Sequence, residues 1–343
     1  MIATATEIVL PGRVEPDGLL VTRRELPAPG PGQALVRVEA SGVSFAEQQM
    51  RRGKYYDQPP FPFVPGYDLV GIVTAVGQDV DAALVGRRVA ALTKIGGWTS
   101  AALLDAADLV PVPEPLDAAA AETFVVNGIT AWQMLFRTAK VRAGQTILVH
   151  GANGGVGSTL VQLARAHGIH VIGTASARHR RAVEELGATW IDYRTDVARQ
   201  VRELAPSGVN AVFDHIGGPG IVESFRLLAP HGTLVSYGTA ATKDQEGNSR
   251  LPVLKLLARL VLWNALPNKR NAHFFNLWAG KRNLSRFRAR IAADLGAVFD
   301  LAAQGVLRAQ VAARIPLSAA ARAVELAESG SVVGKVVLVA DES

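Results

Sequence analysis

The densest chemistry in this 343-residue chain lies in one run, TILVHGANGGVGSTLVQLARAHGIHVIGT, residues 146–174. A short β-branched segment leads into Ala152, Asn153, Gly154, Gly155, Val156 and Gly157, and a helical pattern opens there. Ala152, Gly154 and Gly157 fill the three small-residue positions of a G-x-G-x-x-G loop, with Ala in the first. A tight turn, a residue without a side chain where backbone meets pyrophosphate, and a third small residue under the helix are what a dinucleotide needs. The free N–H groups at the helix start, with the positive end of its dipole, would hold the phosphates.

The end of the next strand bears on which dinucleotide is bound. A site for NAD places Asp or Glu about 20 residues beyond the glycines, to grip the ribose 2′-hydroxyl. No acidic residue occurs from Gly151 to Val183, and the strand is followed by Ser176, Arg178, His179, Arg180 and Arg181. A hydroxyl and guanidinium groups suit a 2′-phosphate, which Arg binds through paired hydrogen bonds. Arg at a helix start opposes the dipole, so a phosphate explains it better than solvent does. Ser176 and Arg180 therefore point to NADPH as the cofactor.

These residues require a frame. From about residue 120, apolar runs at 146–150, 170–174, 190–193, 210–216 and 233–238 alternate with helical patterns at 155–167, 177–186, 195–204 and 219–228. That rhythm predicts βαβ units on a doubly wound parallel sheet, an α/β class. The first 120 or so residues read differently, as strands (34–40, 68–77, 87–92) between Pro-rich turns, with one short helix over 45–53. Residues 243–290 break the alternation.

Composition narrows the class. Zero Cys excludes disulfides, Cys-ligated zinc, Fe–S clusters and a cysteine nucleophile. All seven His lie between His150 and His273. No G-x-S-x-G, H-E-x-x-H or P-loop string occurs. No basic leader runs into an apolar stretch, and no uncharged run approaches membrane-spanning length, so a cytoplasmic location is expected. Asp214 and His215 are adjacent on a strand end, face opposite ways, and read as structural or near the cofactor.

The glycine loop behind a β-rich N-terminal half resembles the medium-chain dehydrogenase/reductase superfamily, and within it the zinc-independent quinone oxidoreductases and their VAT-1-like members. The residues carrying this are SGVSFAEQQMRRGKYYDQPPFPFVPGYDLVGIVTAVG (41–77), VVNGITAWQML (125–135), GANGGVG (151–157), FDHIGG (213–218), LVSYG (234–238) and GKVVLV (334–339), in the family's order along the whole chain. The resemblance implies a GroES-like catalytic domain over 1–123, completed by about 291–343. It also implies a Rossmann NADP-binding domain over 124–290, with a basic, aromatic insertion at about 243–290, and a homodimer.

By the same resemblance, Thr130 lies beside the nicotinamide, Tyr193 and Arg180 line the adenosine phosphate, Tyr237 and Gly238 lie beneath the nicotinamide ribose, and Lys335 lies near the cofactor. Tyr55 is either a substrate-facing hydroxyl or a surface aromatic beside the Pro-rich loop. Ser44 stands where quinone reductases commonly carry Asn. The zinc-ligating GHE position of other members reads Gly66-Tyr67-Asp68, so no metal is expected. The implied chemistry is hydride transfer from NADPH to a quinone or an α,β-unsaturated carbonyl, whose conjugation spreads the developing charge without a Lewis acid. The alternatives are enoyl reduction of a biosynthetic acyl or polyketide intermediate, or a VAT-1-like NADP-binding protein that works by membrane or partner contact.

The net charge of +6 has an address. Residues 250–290 hold ten Lys or Arg and no acid, so the rest of the chain nets −4. Aromatic residues interleave there, Trp263, Phe274, Phe275 and Trp278 among them. A membrane-surface helix fits that pattern, nucleic acid fits it least, and a segment covering the substrate cleft or a dimer contact is the favoured reading.

Overall fold

The computed structural model describes residues 3–238 and 250–341. Contacts divide the chain into two units, Met1–Ile129 with Gly280–Ser343, and Thr130–Ala279. The first seven residues of the 243–290 segment lie outside the described residues.

The first unit begins with an antiparallel pair, β1 (Ala3–Val9) and β2 (Leu20–Leu26). The strand β3 (Gln33–Val43) then alternates inward Ala34, Val36, Val38 and Ala40 with the less buried Gln33, Leu35, Arg37 and Glu39, as a half-buried strand should. Helix α1 (Phe45–Arg51) follows, capped by Ser44. The strands β4 (Asp68–Val76), β5 (Arg88–Leu92), β6 (Ala101–Asp105) and β7 (Val110–Pro111) complete the N-terminal part. β3 pairs antiparallel with β4 and β6, and β5 pairs antiparallel with β4 and β7. Helix α2 (Ala118–Trp132) runs on into a π-helical turn, Gln133–Thr138.

The second unit is the doubly wound sheet that the alternation predicts. Its strands are β8 (Thr146–His150), β9 (His170–Ala175), β10 (Thr189–Asp192), β11 (Val209–Asp214), β12 (Leu228–Ser236) and a sixth strand, β13 (Asn271–Phe274). The order β10-β9-β8-β11-β12-β13 is parallel throughout. Helices α3 (Gly155–Ala166), α4 (Arg180–Leu186), α5 (Val197–Leu204) and α6 (Ile221–Arg226) connect the first five strands.

Residues 250–274 differ from the insertion expected of them. Helix α7 (Arg250–Ala265) leads into β13, and both extend the same sheet. Leu256, Leu260 and Ala272 join the core formed by Leu148, Val212, Leu234 and their neighbours, and Trp263 stacks on Phe225 at 4.2 Å. The helix is apolar on its outer side too, where Leu254, Val261 and Leu262 are exposed. The leucines of this segment do recur near helical spacing, but no local signal marks the helix as the one that feeds a sixth strand of the sheet.

The chain then returns to the first unit. Helix α8 (Leu284–Ala303) carries Arg288, which pairs with Asp105 at 2.5 Å and Asp108 at 2.7 Å, so part of the basic segment is neutralised by the N-terminal half. The strands β14 (Val311–Pro316) and β15 (Lys335–Val339), with helix α9 (Ala320–Glu328) between them, add to the sheet edge beyond β3. Their residues Ile315, Leu317, Val324, Val336 and Leu338 share a core with Ile8, Val43 and Trp98. Among the described residues, no helix is long and apolar enough to cross a membrane.

Candidate nucleotide-binding and active sites

In the second unit the glycine loop sits at the C-terminal end of β8. Gly151 takes a left-handed backbone (φ +65°), and Gly154 caps α3 in an extended conformation. A Cβ on Gly157 would strike the carbonyl of Gly151, so helix and loop approach too closely for any side chain there. Ala152 is fully buried, and its N–H donates to the Thr174 carbonyl at 3.0 Å, tying the loop to the end of β9. Asn153, Gly155 and Val156 lie between these anchors and are partly exposed. A sterically enforced cradle at a helix N-terminus fits a pyrophosphate.

Beyond β9, Ser176 is buried and opens a 3-10 turn, and Arg178 and Arg180 are exposed. Arg180 donates to Glu184 at 2.9 Å and lies 5.2 Å over the Trp190 ring. Its guanidinium is thus already oriented, whereas Arg178 makes no ion pair among the described residues. Tyr193 is exposed beside this turn, with the Arg194 guanidinium 5.6 Å over its ring. Thr130 is buried on α2.

Two histidines organise the same strand ends: His215, read from the sequence as structural or near the cofactor, and His150, which sequence reasoning passed over. His150, at the end of β8, bonds Thr174 Oγ1 at 3.2 Å and Ser224 Oγ at 3.1 Å, and burial pushes its pKa down. Ser224 Oγ donates to Asp214 Oδ2 at 2.7 Å, and Asp214 Oδ1 accepts from the N–H groups of Ile216 and Gly217. Asp214 is therefore a loop anchor. The His215 ring lies where a Cβ on Gly151 would stand, and a Cβ on Gly238 would press on the His215 carbonyl. Tyr237 lies 5.9 Å from that ring, and burial raises its phenol pKa. The side-chain atoms His215 Nδ1 and Ser236 Oγ are buried without a protein partner. Orphaned polar atoms beside glycines fixed by close contact suit a polar ligand, and the nicotinamide dinucleotide implied by the motif fits these residues.

In the first unit Ser44 and Tyr55 are joined through two residues not singled out from the sequence. Ser44 caps α1, accepting from the Ala46 N–H at 3.2 Å and donating to Glu47 Oε2, while Glu47 Oε2 also accepts from the Ser44 N–H at 2.9 Å. The other oxygen, Glu47 Oε1, accepts from the Tyr67 N–H at 2.7 Å. The Tyr67 hydroxyl meets the Tyr55 hydroxyl at 2.9 Å. Glu47, Tyr55 and Tyr67 are all buried. Burial pushes the Glu47 carboxyl up and the Tyr55 phenol far up, so Tyr55 carries its proton at neutral pH. Helix α1 is itself fixed by Arg51 and Arg52, which bind Glu328 on α9 at 2.9 and 2.7 Å.

Next to Tyr67, Asp68 Oδ2 accepts from Lys335 Nζ at 2.8 Å and from the Val126 N–H at 2.9 Å, and Glu122 Oε1 accepts from Lys335 Nζ at 2.6 Å. Lys335 is thereby committed to two carboxylates of its own unit. Its side chain passes over Gly42, where a Cβ would collide with it. This donor set does not fit zinc. Asp68, in the stretch that reads GHE in zinc-dependent members, shares an ammonium with Glu122, the neighbouring Tyr67 hydroxyl is bonded to Tyr55, and there is no Cys. Among the described residues, no group of three His, Cys, Asp or Glu is placed to hold a metal ion.

Two family models match the chain: an alcohol dehydrogenase GroES-like domain over residues 30–114 and a zinc-binding dehydrogenase over residues 186–338. The synaptic vesicle membrane protein VAT-1 homolog of Rattus norvegicus is 40% identical over 217 residues, covering 62% of this chain and 54% of that protein. The chain thus spans about half the length of the curated relatives it matches. The quinone oxidoreductase of Pseudomonas syringae pv. tomato DC3000 superposes with a TM-score of 0.83 at 30% identity, covering 98% of this chain and 99% of that one. That of Escherichia coli, solved in complex with NADPH, has a TM-score of 0.84 at 26% identity, covering 98% and 100%.

Proposed function

Because the chain belongs to the medium-chain dehydrogenase/reductase superfamily, in its quinone oxidoreductase and VAT-1-like branch, we propose that it is an NADPH-dependent reductase that delivers hydride to a quinone or an α,β-unsaturated carbonyl. The observation that carries this reading is the loop over 151–157, where Gly157 is pressed against the Gly151 carbonyl at the mouth of α3, followed by a strand end with Ser176 and arginines in place of an acid. The Escherichia coli relative's complex with NADPH supports the cofactor.

In this reading the 151–157 loop holds the pyrophosphate on the N–H groups of α3. Ser176, Arg178 and Arg180 hold the 2′-phosphate. Tyr193 and Arg194 flank the adenosine, and Tyr237 and Gly238 seat the ribose. Bound nicotinamide supplies the hydride. Thr130 orients it, and Tyr55 gives a hydrogen bond, then a proton, to the oxygen on which charge develops. Ser44 and Lys335 act one step back, as helix cap and internal cation. Cytoplasmic residence and a homodimer belong to the same reading.

Absorbance at the NADPH band tests it, with a panel of quinones, enones and enoyl thioesters and NADH as the competing donor. Oxidation of NADPH by quinones or enones is expected. Turnover confined to enoyl thioesters, or no turnover with any acceptor, overturns the substrate assignment.

A further inference from the structure

Tyr55 has hydroxyl neighbours on both sides. Its oxygen lies 2.9 Å from the Tyr67 hydroxyl, and the two rings meet edge to face with centroids 6.5 Å apart. On the other side its ring lies 4.7 Å from that of Tyr56, and the two side chains are hydrogen-bonded. Exposure rises along this series. Tyr67 and Tyr55 are buried, Tyr56 is half-buried, and the next residue, Asp57, is exposed and pairs with Lys94.

Tyr67 is the fixed end. Its N–H is held by Glu47, and its carbonyl accepts from the N–H groups of Thr93 at 2.9 Å and Lys94 at 3.1 Å. These bonds pin the Tyr67 peptide, and the side chain itself is buried away from solvent. A half-buried ring at the other end can meet water.

We propose that the hydroxyls of Tyr56, Tyr55 and Tyr67 form a relay in which Tyr67 orients Tyr55 and Tyr56 returns to Tyr55, from solvent, the proton it gives to the reduced substrate. This rests on the reductase reading above. As the acceptor carbon gains a C–H bond by hydride, the conjugated oxygen takes the Tyr55 proton, Tyr55 oxygen takes that of Tyr56, and Tyr56 oxygen takes one from water-borne acid. The net uptake is one hydride and one solvent proton per turnover. Each hydroxyl donates as it accepts, so no phenolate is formed in a buried place where its charge would be costly. Tyr56 and Tyr67 are positioning residues, since both act through Tyr55.

The chain contains five tyrosines, so tyrosine labelled with 13C at Cζ gives five signals, each assignable by substitution. Transfer from water into D2O reads the exchange of each hydroxyl through its isotope shift, with no turnover needed. Tyr56→Phe is expected to slow exchange of the Tyr55 hydroxyl ~10-fold or more, as loss of one hydrogen-bonded step should. Tyr67→Phe leaves the solvent side intact and should not slow it. Exchange in Tyr56→Phe within about twofold of the wild type, or equal slowing by Tyr67→Phe, overturns the relay. Tyr56→Trp, which keeps a ring and no hydroxyl, repeats the measurement should Tyr56→Phe lose its folding transition.

With an acceptor that is reduced, Tyr56→Phe should lower kcat and enlarge the solvent isotope effect at unchanged KM, an outcome that packing alone would not produce. A protein that shows the exchange asymmetry but reduces no quinone or enone supports the relay and overturns the reductase reading. The two ideas therefore fail separately.

Discussion

Lys335 Nζ reaches Asp68 Oδ2 at 2.8 Å across 267 residues of sequence, with both side chains almost wholly buried. The same ammonium holds Glu122 Oε1 at 2.6 Å, so one cation fastens β15, β4 and α2 together. Lys335→Met would leave the Asp68 and Glu122 carboxyl groups buried without their cation. It should lower unfolding free energy by about 3–5 kcal/mol at neutral pH, measured by urea denaturation. Its partners hold the Lys335 pKa above its ordinary value of 10.5, so the stabilisation is complete below that value and is lost only at still higher pH. A loss under about 1 kcal/mol would show that the triad is not a structural pin.

Glu122 gives the opposite slope. Burial first, then Asp68, raises its pKa well above the ordinary 4.5. Between 4.5 and the raised value the folded chain keeps a proton that the unfolded chain releases, so stability falls as pH rises through that window. Glu122→Gln carries no such proton. The difference in unfolding free energy between wild type and Glu122→Gln should therefore shift in the variant's favour from about pH 5 to about pH 8. A pH-independent difference overturns this account.

The arginines after β9 should discriminate the nucleotides. Arg180 is already engaged by Glu184 and Trp190, so Arg178 is expected to share the phosphate contact. The double substitution Arg178→Ala/Arg180→Ala should weaken NADPH binding by about 1.5–3 kcal/mol per charge-assisted bond lost, and NADH binding little. Titration calorimetry with both nucleotides checks this, and equal losses would remove the 2′-phosphate from the picture.

How much of this could be read without coordinates depended on distance along the chain. The strand at Thr146–His150 and helix at Gly155–Ala166 follow from β-branched runs, glycines and a 3.6-residue period, all local signals. Ser44 and Tyr55 were visible as candidates, but Glu47 and Tyr67, which join them, were not. Their roles depend on side-chain contacts between residues far apart in sequence, up to 20 residues for Glu47 and Tyr67. The Lys335 triad spans still more, and a terminal Gly-Lys pair carries no hint of which carboxylates it meets. The leucines of helix α7 show its helical spacing, but its place in the sheet depends on the pairing of β13 with β12, about 38 residues apart in sequence, which no local pattern carries.

Ser44 tests whether a candidate from resemblance acts on substrate or on backbone. Its hydroxyl accepts from the Ala46 N–H and bonds to Glu47, completing a capping box on α1. Ser44→Ala should cost about 1 kcal/mol of stability, while Ser44→Asp, another good cap residue, would place a second carboxylate beside Glu47 and recover little. A kcat that falls ~10-fold or more in Ser44→Ala at unchanged melting temperature would instead put the hydroxyl on the reacting atoms.

Metal dependence gives the last test. Asp68, in the stretch that reads GHE in zinc-dependent members, shares Lys335 with Glu122, the adjacent Tyr67 hydroxyl is bonded to Tyr55, and the chain lacks Cys. One ammonium between two carboxylates leaves at most one net negative charge and two unpartnered oxygens, Asp68 Oδ1 and Glu122 Oε2, with neither Cys nor His beside them, a poor match to the four ligands zinc takes. NADPH oxidation should therefore survive prolonged dialysis against a strong chelator, within about twofold, and elemental analysis of the active protein should find far less than one zinc per chain. Stoichiometric zinc whose removal abolishes turnover would overturn the assignment. In that event Lys335→Ala becomes the informative variant. If a metal competes with the ammonium for Asp68 and Glu122, freeing those carboxylates should tighten zinc binding, and if the metal sits elsewhere its affinity should not change.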